Sequence, residues 1–150
     1  MLISLISGRL ADKVGRIKVL LIGLTVTIIT PLLYGFAGNF LFIALFHGLN
    51  GVGFWTIQTI GFTFAGDITP ENKRGKFFSR YNTVNALNWG AAGFLVGGPL
   101  ADVQIKTLGL TTYSSYLNVF YLSSLIVFVG TILFWLKIIK KSSVKKDLNY

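Results

Sequence analysis

The 150-residue chain has no cysteine, a single histidine (His47) and five carboxylates: Asp12, Asp67, Glu71, Asp102 and Asp147. Without thiols there is neither a disulfide framework nor a thiolate metal site, and one imidazole does not make a histidine-based metal site. No carboxylate lies deep within an apolar run. The cluster of His, Cys or acidic groups that a membrane-embedded enzyme needs on one face is therefore not visible. The expectation is a non-enzyme with no metal and no cofactor. Charge is scarce as well: 13% of residues are Asp, Glu, Lys or Arg, against roughly 25% in soluble proteins. A secretory signal is not expected either. The opening residues lack a basic stretch, their apolar part is short, and no small-residue cleavage site follows.

What fills the chain is hydrophobic: 53% of residues, of which the aromatics alone make 15% of the total. They stand in long runs, and crossing roughly 30 Å of hydrocarbon takes about 20 helical residues. Four runs meet that length, at 19–36, 40–65, 77–101 and 116–138. In lipid each backbone N–H and C=O needs an internal partner, so these runs are expected as helices. The fold class is an all-α membrane protein, one transmembrane domain over 1–150. Pro31 stands near the end of the first span and is placed to kink it. Asn39 is a candidate N-cap for the second. Thr69-Pro70-Glu71 has the form of a helix start, and a longer polar link is expected between Asp102 and Ser115. Residues 1–7 are apolar but reach only about 10 Å. They read as the end of a truncated N-terminal helix, and residues 139–150 as a polar tail.

The net charge of +9 raises nucleic-acid binding, which the distribution of charge argues against. Thirteen of the fourteen Lys and Arg residues cluster before the first span, between the second and third, or after the fourth, with Arg80 and Lys137 just inside the span boundaries. Only Lys106 lies in the alternate links. By the positive-inside rule, both basic loops and the C-terminus face the cytoplasm.

Residues 8–20, Gly-Arg-Leu-Ala-Asp-Lys-Val-Gly-Arg-Ile-Lys-Val-Leu, lie between the stub and the first span. They resemble the signature loop of the major facilitator superfamily through Gly8, Leu10, Ala11, Asp12, Lys13, Gly15 and Arg16, with Ile17 where a basic residue is usual. The segment from Asp67 through Arg74 and Gly75 to Lys76 resembles the acidic–Pro–Arg-Gly loop two helices further on. The resemblance implies part of a six-helix bundle, more in keeping with the C-terminal half of a transporter. Its glycines would allow a tight turn. Its charges would form a network in which Arg16 pairs with Asp67, and Asp12 with Arg74 or a helix end.

Polar residues inside spans are costly and usually face a bundle interior or cavity. His47, Asn50, Phe54 and Gln58 recur at three- and four-residue steps on the second span, and Asn82, Asn85 and Trp89 on the third. His47 is the one titratable group deep in a span. The resemblance implies that these two spans line a transport cavity while the first and fourth stand outside it. Gly93, Gly97 and Gly98 are expected to let a neighbouring helix approach, as are Gly48, Gly51 and Gly53. The expected function is alternating-access transport of a small solute by a protein of the cell (plasma) membrane. Its partners would be the lipid bilayer and either a missing transporter half or a second copy, with no nucleic acid. A non-transporting membrane subunit, or relic of a transporter, that packs against a partner is the alternative.

Overall fold

The computed structural model describes residues 2–91 and 96–147, with side chains described for 2–87 and 96–137. Among the described residues there are helices and turns but no strand. α1 (Leu2–Val14) leads through Gly15 into α2 (Arg16–Leu33), which tightens to a 3₁₀ turn at Tyr34–Phe36. α3 runs from Phe40 to Ile68, a second 3₁₀ turn covers Glu71–Lys73, and α4 spans Arg74–Ala91. α5 (Gly98–Leu108) and α6 (Thr112–Asp147) complete the order.

Local chemistry sets the boundaries. Gly15 has φ 99, a conformation side chains resist, and it is there that α1 hands over to α2. Gly8 takes no part in that turn; it lies within α1, because the apolar stub and the signature segment continue as one helix to Val14. Asn39 caps α3, its Oδ1 accepting the Phe42 N–H at 3.2 Å. The Thr111 hydroxyl accepts the Ser114 N–H at 3.2 Å and opens α6 in the same way. At the other end of α5, Gly109 takes the left-handed conformation and the Leu110 N–H bonds back to the Gln104 carbonyl at 3.4 Å.

Among the described residues, three helical segments are long and apolar enough to cross a membrane: Arg16–Phe36, Phe40–Ile68 and Thr112–Lys137. This corrects the expectation of four complete spans. The 77–101 run begins within α4, whose 18 residues include Arg74, Lys76, Arg80, Asn82, Asn85 and Asn88 and are too polar to qualify. Residues 92–95 lie outside the described residues. The long polar link expected after Asp102 is also shorter. Pro99 stands in the first turn of α5, where its missing N–H costs nothing. Helix then continues to Leu108, held to α6 by the Asn118 Nδ2–H to Gln104 Oε1 bond at 2.8 Å.

α2 sits between α3 and α6. Its contact with α3 depends on two glycines facing each other. A Cβ on Gly53 would lie 2.7 Å from Thr27 Oγ1, 2.9 Å from Val26 Cγ1 and 3.0 Å from the Gly23 carbonyl. A Cβ on Gly23 would come within 3.1 Å of Thr56 and Ile57. Gly48 and Gly51, expected as further crossing points, face open space. Toward α6, the Ser124 hydroxyl donates to the Ile28 carbonyl at 2.6 Å. Ala11, Val19, Leu20 and Ile60 form a small buried core, with Leu24, Ile57 and Phe134 against it. Most remaining large apolar side chains of α3 and α6 stay exposed. Such a surface suits a hydrocarbon surround and neighbouring helices rather than water.

Candidate functional site

Two spanning helices and a third, polar one place the candidate residues. On α3, Gln58 donates its Nε2–H to Asn85 Oδ1 of α4 at 2.7 Å. The Tyr81 hydroxyl, one turn earlier on α4, donates to Gln58 Oε1 at 3.4 Å. Phe62 stands beside them, its ring 4.6 Å from Phe78 and 5.7 Å from Tyr81 between centroids. Two amides and a phenol thus join these helices within a region built mostly of apolar side chains. Asn82, on the same helix, is exposed. The side chain of Trp89, and all of Gly93, lie outside the described residues. Gly97 immediately precedes α5 and Gly98 opens it.

The stripe expected along α3 divides between different partners. Nearer the helix start, His47 Nδ1 lies 3.1 Å from the Tyr34 hydroxyl. Both line a cavity of about 220 Å³ with Tyr113, Tyr116 and Phe120 from the start of α6. The Tyr113 hydroxyl also donates to the Tyr34 carbonyl at 3.4 Å. Between His47 and Gln58, the Asn50 Oδ1 is buried without a hydrogen-bond partner among the described residues. An unpaired buried carbonyl costs roughly 1–3 kcal/mol, so the Asn50 carbonyl has an acceptor position that no described residue fills.

At the opposite end of the bundle, Arg16 from the start of α2 forms an ion pair with Asp67 near the end of α3, and its guanidinium also reaches the Thr63 carbonyl at 3.5 Å. Arg16, Asp67 and Arg74 share the wall of one cavity of about 360 Å³ with Phe62, Gly66 and Phe78. The expected Asp12–Arg74 pair does not form. Arg74 instead lies 3.7 Å from Glu71, three residues away, and donates from Nε to the Thr69 carbonyl at 3.4 Å. Asp12 is exposed on α1 and has no ion pair among the described residues. Gly8 and Gly75 have open space around them.

Sequence reasoning missed two contributors. Tyr34 sits in a 3₁₀ turn with no polar periodicity to mark it, and Glu71 reads as an ordinary first-turn acid. Nothing in the sequence joins Tyr81 to Gln58 either.

These features define a helical integral membrane protein in which polar groups are held between apolar helices. The family model described as Major Facilitator Superfamily matches residues 1–149. Multidrug resistance protein 3 of Bacillus subtilis is 32% identical over 97 residues, covering 65% of this chain and 19% of that protein. Multidrug transporter protein MdtP of the same organism is 30% identical over 97 residues, covering 65% of this chain and 18% of its own. An uncharacterized MFS-type transporter of Mycobacterium tuberculosis is 29% identical over 100 residues, covering 67% of this chain and 14% of its own. The matched region thus spans less than a fifth of the length of each of these relatives. No solved structure matches. The chain belongs to the major facilitator superfamily, a family of membrane transporters.

Proposed function

We propose that this chain forms part of a transporter that moves a small solute by alternating access, with α3 and α4 on the cavity side. The observation that carries the reading is the Gln58–Asn85 hydrogen bond with Tyr81 beside it. Polar side chains within a membrane bundle are costly and usually face its interior or a water-filled cavity. Asn50, whose carbonyl has no partner among the described residues, would be a second contact for solute. The names of two relatives favour drug-like compounds as the solute class. No reaction on the solute is proposed. The Arg16–Asp67 pair would bias one conformational state, since an exposed pair supplies too little energy to hold the fold. Both basic loops and the C-terminus would face the cytoplasm of a plasma-membrane protein. The exposed faces of α3 and α4 would meet further helices, from a longer polypeptide or from a second copy.

A chimera tests this. The matched 97 residues of Multidrug resistance protein 3 are replaced by their counterparts here, and export of a fluorescent lipophilic dye is followed in cells. Export by the chimera, lost on Gln58→Leu with Asn85→Leu at unchanged membrane abundance, is the expected result. Equal export by the apolar variant would remove these residues from the solute path.

A further inference from the structure

A second cavity, of about 550 Å³, opens beside the α3–α4 turn at the same end as Arg16 and Asp67. Ile68, Thr69 and Pro70 form one wall, and Lys73, Lys76, Phe77 and Arg80 form the other. The steps between those last four residues are three, one and three, the spacing of a single helical face. Arg74 and Phe78 fall on a different face, toward the cavity that Arg16 and Asp67 line. Among the described residues no carboxylate lines the basic cavity, and none of its three cations has an ion-pair partner. Three like charges around one hollow raise its potential and concentrate anions there.

Depth narrows the choice of anion. α3 is long enough to cross a membrane and ends at Ile68, so the cavity opens where the span reaches the headgroup region. Ile68 is exposed and Phe77 half-buried, which gives the basic hollow an apolar flank. A free phosphate would make no use of that flank. We propose that the cavity seats the phosphate of an anionic membrane lipid, with Lys73, Lys76 and Arg80 around the headgroup and the acyl chains along Ile68 and Phe77. Basic pockets at the membrane surface take such headgroups through charge. The assignment does not depend on which solute is moved, or on whether one is.

The 150-residue chain in phosphatidylcholine vesicles provides the test, with spin-labelled phosphatidylglycerol as the probe and its motionally restricted fraction as the readout. Each of Lys73→Gln, Lys76→Gln and Arg80→Gln is expected to weaken retention about fivefold, the effect of one basic residue near a membrane surface. Lys13→Gln with Lys18→Gln, which removes charge from the α1–α2 region, should leave retention unchanged. Inorganic phosphate should not displace the lipid. Retention unchanged in the three single variants, an equal loss in the Lys13/Lys18 control, or displacement by phosphate alone would each overturn the assignment. Circular dichroism on each variant verifies its helix content.

Discussion

At the scale of single residues, hydrogen bonds between membrane helices are individually weak. They average roughly 0.6 kcal/mol, with a maximum near 1.7 kcal/mol. Gln58 and Asn85 should show a coupling in that range in a double-mutant cycle of Gln58→Leu and Asn85→Leu, read from unfolding in detergent. Simple additivity would mean that the bond contributes nothing to holding α3 against α4. The Arg16 and Asp67 side chains are 36% and 52% exposed, which limits their pair to about 0.2–1 kcal/mol. Charge-reversed Asp67→Arg should impair dye export in the chimera and be partly rescued by Arg16→Asp, whereas an additive double variant would dissolve the link. The Arg16–Asp67 contact could be anticipated from the resemblance of the two loops that carry these residues. An Asp12–Arg74 contact could not be weighed in the same way. Glu71 is three residues from Arg74, so the local pair forms with almost no chain to order. The Tyr34–His47 contact depends on how the chain turns between α2 and α3, which no periodicity encodes.

At the scale of helices, the α2–α3 crossing depends on Gly53 and Gly23. Gly53→Ala is expected to destabilise by about 1–3 kcal/mol, the usual range for overpacking, since its Cβ would meet Thr27, Val26 and the Gly23 carbonyl. Gly48→Ala has open space and should be neutral or slightly stabilising. Thermal unfolding in detergent compares them, and equal behaviour would refute the crossing. In sequence Gly48, Gly51 and Gly53 are equivalent; only the helix rotation distinguishes them. α2, α3 and α6 were legible because an uninterrupted apolar run admits one backbone solution in lipid. The run at 77–101 misled because its apolar part straddles two different elements, the Asn-rich α4 and the Pro-initiated α5.

At the scale of the whole molecule, the alternation of basic and non-basic links predicts the orientation. The chain has no cysteine, so Ser142→Cys, Asn72→Cys and Thr111→Cys can each be labelled singly in intact cells. An impermeant thiol reagent outside should reach Thr111→Cys alone, and labelling at Asn72→Cys would invert the topology. The central claim is that α3 and α4 present a wall to a water-filled path. It is tested most directly by the reactivity of Gln58→Cys and Asn85→Cys toward a charged methanethiosulfonate in isolated membranes. Ile126→Cys and Leu133→Cys, exposed apolar positions on α6, serve as lipid-facing references. The account predicts rapid modification at the α3 and α4 positions and little at the two on α6. Protection of Gln58→Cys and Asn85→Cys to the same degree as Ile126→Cys would contradict it.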